Sequence, residues 1–130
     1  MKRMLLFLII LSLFCACEKG AGEGGTSLVV GEVWAEEWDD GTYTFHTPSQ
    51  DRYGADEDVY LVYGSDVSYS QRLKASPSGK FEFKYLRKGT YTVYVYSGAS
   101  VPGGKVAIEK TFTISENKSL NDIGRITIKK

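Results

Sequence analysis

The chain of 130 residues has very little histidine and cysteine: His46 is its one histidine, and Cys15 and Cys17 are its two cysteines. Most nucleophilic hydrolases place a thiol or hydroxyl beside a base that a third group orients. One histidine and these two cysteines cannot supply the usual combination of nucleophile, base and orienting group. We therefore expect His46 to be an ordinary strand or loop residue. The sequence predicts a protein that is not an enzyme, with a small hydrolase as a minor alternative.

The sequence also lacks an apolar run long enough to cross a bilayer. The predominantly apolar stretch extends from Met4 to Phe14, whereas a membrane-spanning helix needs about 20 such residues. Lys2 and Arg3 precede this stretch and a small residue, Ala16, follows it, as in a secretory signal. We predict that residues 1–16 are a signal peptide.

The end of this segment reads LFCAC and places Ala16 directly before Cys17. It resembles the lipobox of bacterial lipoproteins, in which a small residue precedes the cysteine that becomes lipidated. Cys17 fits this pattern better than Cys15, which follows the bulky Phe14. An ordinary cleaved signal with an incidental cysteine is the alternative. The resemblance implies a diacylglyceryl anchor on Cys17, hence a membrane-anchored lipoprotein of the bacterial cell envelope, expected in the outer membrane and facing the periplasm or the cell surface.

Glycine and alanine dominate the stretch EKGAGEGGTS that follows Cys17. Such a composition is typical of a flexible linker, so we expect residues 17–27 to be a lipidated, glycine-rich tether. The remaining residues 28–130 suit one domain. Because Cys15 would leave with the signal and Cys17 would carry lipid, this domain must be held together by core packing without a disulfide.

Helical periodicity is not evident, and the domain instead alternates residue types with a period of two. The seven predicted strands are Leu28–Trp34, Asp58–Tyr63, Ser70–Lys74, Lys80–Lys84, Thr90–Tyr96, Val106–Ile114 and Arg125–Ile128. A short extra strand is expected over GTYTFHT, residues 41–47. Short strands separated by turn signals predict an all-β fold, an antiparallel seven-stranded Greek-key sandwich.

The most specific pattern in the chain is G-x-F-x-F-x-x-L-x-x-G-x-Y-x-V. Its members are Gly79, Phe81, Phe83, Leu86, Gly89, Tyr91 and Val93. With the strands around it, this pattern resembles the carboxypeptidase regulatory-like, Cna-B and prealbumin-like β-sandwich modules. The resemblance implies such a fold from Leu28 onward, and a role as a spacer or accessory binding module. The isopeptide bond of some Cna-B domains is not expected, because the first strand has no Lys and the last has no Asn.

Charge is unevenly distributed along the chain. Residues 31–66 contain ten acids and one base, whereas residues 67–130 contain twelve bases and four acids. Without Lys2 and Arg3 the mature chain has two more acids than bases, which does not favour a nucleic-acid partner. Two hypotheses remain open: the two halves neutralise each other after folding, or the acidic segment contacts an envelope protein. The leading hypothesis is a structural or protein-interaction module.

Four carboxylates that flank one predicted strand form a candidate calcium site: Asp56, Glu57, Asp58 and Asp66. Calcium is a hard cation that takes six to eight oxygen ligands, often from acidic loops of secreted proteins. Acidic loops that are merely solvated are the alternative. No other cofactor is expected.

Aromatic residues offer a second candidate site. By alternation, Tyr60, Tyr94 and Tyr96 point away from the predicted core, and Trp34 could join them. Outward aromatic rings can stack on sugar rings, so the alternative function is that of a carbohydrate-binding lipoprotein whose partner is an extracellular glycan. The same tyrosines could instead be cross-strand pairs that stabilise an exposed sheet face.

Overall fold

The computed structural model describes residues 19–39, 42–100 and 104–130. In these ranges the regular structure is β-strand apart from a short 3₁₀ turn at Pro48–Gln50, so the all-β prediction is confirmed. The eight strands found there are β1 (Glu23–Glu36), β2 (Arg52–Tyr53), β3 (Asp58–Tyr63), β4 (Gln71–Lys74), β5 (Lys80–Leu86), β6 (Gly89–Gly98), β7 (Lys105–Ile114) and β8 (Leu120–Lys129). No helix in the described part of the chain could span a membrane. The predicted signal peptide and Cys17 lie outside the described residues.

The strands form two sheets of four strands each. In the first sheet, β5 and then β2 lie along one edge of β1, and β8 lies along the other. The second sheet has the order β4-β3-β6-β7, and its neighbours are all antiparallel. One pairing differs from the antiparallel prediction, because β8 runs parallel to β1.

The core lies between the inner faces of the two sheets. Phe81, Phe83 and Leu86 of β5 are buried in it, and the second sheet contributes residues such as Tyr91 and Val93 of β6. These are the inward positions of the period-two pattern in the sequence. Burying each large apolar side chain stabilises the fold by about 1.5–3 kcal/mol. The alternating pattern therefore determines which face of each strand is buried and favours the β-sandwich-like packing of the two sheets.

Ordered structure begins before Leu28, although the sequence led us to expect it to begin at Leu28. Strand β1 starts at Glu23, and the carbonyl of Gly22 accepts a hydrogen bond from the Arg87 N–H at 2.9 Å. A Cβ at Gly25 would lie 2.0 Å from the carbonyl oxygen of Leu86. The glycines that indicated a flexible tether therefore allow close approach between β1 and the end of β5, and residues 21–27 belong to the sandwich.

The long connection between β1 and β3 has less regular structure than predicted. In place of a strand over residues 41–47, a single bridge pairs Trp38 with His46, and Gly41 lies outside the described residues. The Asp39 carboxylate organises this turn by accepting a hydrogen bond from the N–H of Phe45 at 2.8 Å. Asp and Asn side chains commonly stabilise turns in this way.

The loops divide between two ends of the sandwich. We call the end where β1 begins the N-terminal end; it carries residues 19–22 and the loops at 64–70, 87–88 and 115–119. The opposite or far end carries the connection 37–57, the turn 75–79 and Lys130. The two ends therefore present different loops to the surroundings.

Candidate ligand surface

Four tyrosines lie together on the outer face of the second sheet. Strands β3 and β6 pair with Tyr60 opposite Tyr94, and Tyr96 lies two residues further along β6. Their neighbours Leu61 and Val93 point into the core, so the tyrosines point outward. Tyr69, in the loop between β3 and β4, packs against Tyr60. We call Tyr60, Tyr69, Tyr94 and Tyr96 the tyrosine surface.

The rings of the tyrosine surface pack around Tyr60. Tyr60 and Tyr94 are stacked, with ring centroids 4.8 Å apart and planes 6° from parallel. Tyr69 and Tyr96 approach Tyr60 edge-on, at centroid distances of 5.0 Å and 5.6 Å. Both arrangements are favourable for aromatic quadrupoles. The stacked pair forms a base, and the two edge-on rings border it.

The four rings differ in exposure. Tyr69 and Tyr96 are 46% and 44% exposed, whereas Tyr60 and Tyr94 are half-buried. Burial, followed by the adjacent phenol of Tyr96 and that of Tyr60, raises the pKa of the Tyr94 hydroxyl above its ordinary value. Tyr94 is thus an uncharged phenol near neutral pH, able both to donate and to accept a hydrogen bond.

Two shallow grooves flank the tyrosine surface. One, of about 340 Å³, lies between the loop after β3 and strand β7, and its lining includes Tyr69, Asp66 and Glu109. The other, of about 330 Å³, lies toward the far end beside Tyr60 and Tyr96. These volumes are at the lower end of the range of roughly 300–1,000 Å³ for small-molecule sites. The surface therefore combines exposed rings with carboxylates in concave surroundings.

Trp34 does not join the tyrosine surface. It lies on the outer face of β1 in the other sheet, edge-on to Tyr53 at 5.4 Å, with the guanidinium of Arg125 4.4 Å from its ring centroid. The prediction that grouped Trp34 with the tyrosines fails because alternation indicates inward or outward, but not which sheet a strand enters. Tyr69 was missed for a related reason, since a loop residue has no strand periodicity that would place it.

The four carboxylates of the candidate calcium site have no common centre. Glu57 forms an ion pair with Lys130 at 2.5 Å and Asp58 forms one with Lys74 at 3.3 Å. Asp66 follows the other end of β3, a strand of six residues that spans roughly 20 Å. Among the described residues, no group of three or more His, Cys, Asp or Glu side chains could hold a metal ion. Calcium binding remains a prediction from sequence without a geometric basis.

Several acids of residues 31–66 pair with bases of residues 67–130. Besides the pairs of Glu57 and Asp58, Glu32 contacts Arg125 at 2.7 Å. Partly exposed pairs of this kind contribute about 0–1 kcal/mol each. This arrangement favours the hypothesis that the two halves neutralise each other, and it leaves fewer unpaired acids for a partner protein.

His46 belongs to a polar cluster in the long connection at the far end. Its Nε2 lies 2.9 Å from Oδ1 of Asp51, and its ring stacks on Trp38 at a centroid distance of 5.0 Å. Burial of Asp51 opposes ionisation, but the Glu37 N–H and the His46 ring outweigh it, so the pKa of Asp51 lies below its ordinary value. These contacts join residues within the connection, and the Trp38 N–H attaches it to the far end by donating to the Lys130 carbonyl at 2.8 Å.

Comparisons with known proteins give little that bears on the ligand. No protein-family model matches the chain, and no curated protein matches it. Among solved structures, it is similar to a crystal structure from Pseudomonas aeruginosa described as a "putative carbohydrate binding protein". The two are 14% identical, with a TM-score of 0.49, and the likeness covers 85% of this chain and 92% of the other. A likeness this distant does not identify a family or a ligand.

Proposed function

We propose that this chain is a non-catalytic, lipid-anchored module of the bacterial cell envelope that binds carbohydrate through the tyrosine surface. The observation that carries this proposal is the pair of nearly half-exposed rings, Tyr69 and Tyr96, supported from below by the stacked Tyr60 and Tyr94. Aromatic rings offer flat apolar area to the C–H face of a sugar, while phenols and carboxylates bond its hydroxyls. Asp66 and Glu109 supply such carboxylates next to the rings.

The geometry favours carbohydrate binding over the protein-interaction role that the sequence favoured. That role depended on the acidic segment, and two of its acids, Glu57 and Asp58, already have basic partners within the chain. The rings of Tyr69 and Tyr96, by contrast, are already exposed to a ligand. If no polysaccharide binds, an envelope protein is the alternative partner.

We also propose a more specific assignment of the fold. A Greek-key sandwich of the prealbumin-like or Cna-B-like type accounts for the strand sequence and for the buried pattern from Phe81 to Val93. The Tyr91 hydroxyl also donates a hydrogen bond to the carbonyl of Arg87, four residues upstream, at 2.6 Å. A tyrosine in this arrangement recurs in Greek-key sandwiches as the tyrosine corner.

The membrane anchor rests on the sequence alone. Lipidation of Cys17 by a diacylglyceryl group would place the domain at the outer membrane, facing the periplasm or the cell surface, and two acyl chains suffice for stable anchoring. Mass spectrometry of the protein purified from membranes tests this directly: the amino-terminal peptide should begin at Cys17 and carry the lipid.

Carbohydrate binding is tested by electrophoresis through gels that contain cell-wall polysaccharides, one at a time. We expect retardation in at least one gel, and we expect the double variant Tyr69→Ala/Tyr96→Ala to weaken binding about fivefold or more, because each lost aromatic contact costs about 0.5–1.5 kcal/mol. Tyr85→Ala is the matched control, since Tyr85 is also exposed but lies in the other sheet. Equal retardation of the double variant and the wild type would refute the assignment of the site, and no retardation in any gel would favour a protein partner.

A further inference from the structure

The N-terminal end of the sandwich lies close to Cys17 along the chain. The first described residue is Lys19, and Ala21 already packs against the core. Four residues of extended chain span at most about 14 Å, so the covalent chain keeps Cys17 within that distance of Ala21. A lipid on Cys17 would therefore hold this end of the domain, and not the far end, at the bilayer.

Basic side chains surround a cleft at this end. Lys19, Arg87, Lys88 and Lys118 line a cavity of about 400 Å³, together with residues 24–26 and Asn117. The guanidinium of Arg87 is fixed in place, because Nε donates to the Gly20 carbonyl at 2.9 Å and Nη1 donates to the Glu23 carbonyl. The lining of the cleft thus includes one guanidinium held by hydrogen bonds and three lysines.

Among the described residues, the acids at the same end are fewer than the bases and do not line the cleft. Glu23 turns toward β4, where its Oε1 accepts a hydrogen bond from Gln71 at 3.1 Å. Glu116 lies exposed in the loop between β7 and β8, and Asp66 lies in the loop between β3 and β4. None of the three is among the residues that line the cleft. The described lining of the cleft therefore carries basic side chains and no acid.

Exposed apolar side chains accompany these bases. Tyr85 is 70% exposed and Leu120 is 66% exposed, near the start of the outer face of the first sheet. Tyr85 sits in a bulge of β5 with a left-handed φ of 58°, which bulky residues rarely adopt. Leu120 lies beside Leu28 on the neighbouring strand. Tyrosine and leucine beside lysine are a combination suited to the interface between headgroups and acyl chains.

We propose that the N-terminal end is a membrane-contact surface for an anionic phospholipid bilayer, with Arg87 and the lysines against the phosphates and with Tyr85 and Leu120 at the interface. This inference rests on the proposed lipid anchor at Cys17, which would deliver this end to the membrane. The short connection leaves the domain little freedom to tumble, so a second, electrostatic contact sets its orientation. The strands then stand away from the bilayer, and the far end faces outward.

The test uses a chain that begins at residue 17 and carries Cys17→Ser, because every residue of the described core lies between Ala21 and Ile128. Its sedimentation with vesicles of phosphatidylcholine alone is compared with that with vesicles that also contain phosphatidylglycerol. We expect binding to the anionic vesicles only. Binding should disappear between about 0.1 M and 1 M salt, as the Debye length falls from about 10 Å to 3 Å.

Two charge-reversal variants locate the surface. Each basic residue near an anionic membrane strengthens binding about fivefold, so Lys19→Glu/Lys118→Glu should weaken it about 30-fold or more. Lys80→Glu/Lys105→Glu changes the net charge equally at the far end, and it should bind as the wild type does. Circular dichroism melts verify that both variants remain folded. An equal loss of binding in both variants would overturn the inference, since it would reveal an effect of net charge alone.

Further outcomes separate this inference from the proposed function. Equal binding to neutral and anionic vesicles, or none to either, refutes the membrane-contact surface even if mass spectrometry finds the lipid on Cys17. Competition by inorganic phosphate at constant ionic strength would show a site for free phosphate and would also refute it. Specific binding to anionic vesicles without lipid on Cys17 would support the surface and refute the anchor, and none of these results depends on the tyrosine surface.

Discussion

Replacement of Tyr91 by Phe tests whether the residues just before β1 belong to the folded domain. The ring of Tyr91 is fully buried and stacks on Phe112 at 5.6 Å. Its hydroxyl oxygen accepts a hydrogen bond from the Gly22 N–H at 2.8 Å and lies 2.6 Å from the Arg87 carbonyl, to which it donates. Tyr91→Phe keeps the ring and removes the hydroxyl that accepts from the Gly22 N–H, while the direct hydrogen bond from the Arg87 N–H to the Gly22 carbonyl remains.

The expected cost follows from the groups left behind. A buried donor without a partner costs about 1–3 kcal/mol, and the Gly22 N–H would lose its partner. In a domain of about 100 residues, a loss of 2 kcal/mol lowers Tm by about 8–16 °C. Urea unfolding measures the free energy of unfolding directly, because variants with an unchanged m-value differ in stability by the shift of their midpoint. Hydrogen exchange should also show faster exchange at Gly22 while the amides of β6 stay protected.

A matched control is Tyr63→Phe. The Tyr63 hydroxyl accepts a hydrogen bond from the side chain of Gln71 in a partly exposed position, so water can replace the lost partner and the cost should stay below about 1 kcal/mol. If Tyr91→Phe unfolds at the same urea concentration as the wild type and Gly22 exchanges as before, then residues 21 and 22 are not docked. The flexible tether predicted over residues 17–27 would then extend through Gly22, and Cys17 would hold the N-terminal end less closely to a membrane.

Two further predictions concern a glycine and a carboxylate. Gly25→Ala should destabilise the domain by several kcal/mol, because the added Cβ would overlap a carbonyl oxygen. Gly20→Ala is the control: Gly20 has open space around it, so the free energy of unfolding should change by less than about 0.5 kcal/mol. Equal effects of the two substitutions in urea unfolding would contradict the packing of β1. Asp51 has a lowered pKa in the folded protein, so its contribution to stability is present above about pH 4 and is lost as the pH falls through the folded value. Asp51→Asn should remove that part of the acid dependence measured by urea unfolding from about pH 5 to pH 2, and an unchanged slope would contradict the assignment.

The strands and the buried face could be predicted from sequence because both depend on local alternation. Phe81 and Val93 are inward positions of a period-two pattern, and a single strand shows that pattern without reference to its partners. The parallel pairing of β8 with β1 was not predictable in this way, because it joins Leu28 to Leu120 across most of the chain and leaves no local signature.

Composition failed where one residue type serves two purposes. Glycine is common in flexible linkers and is also required where two backbones approach closely. The sequence around Gly25 is compatible with either, and only the position of Leu86 decides between them. The candidate site shows the same limit: alternation predicted that Tyr60 and Tyr94 point outward, but the pairing of β3 with β6 puts them on one face, and Tyr69 enters that face from a loop.

The two interpretations of the outward tyrosines apply to different members of the tyrosine surface. Tyr60 and Tyr94 are cross-strand partners in register and stack on each other, so they have the geometry of a pair that stabilises a sheet. Tyr69 and Tyr96 border this pair and remain nearly half exposed. The exposed part of an aromatic ring contributes no transfer free energy to folding, so sheet stability alone does not account for it. A ligand that covers these two rings would gain that free energy, and the stacked pair beneath them would already hold the contact area in place.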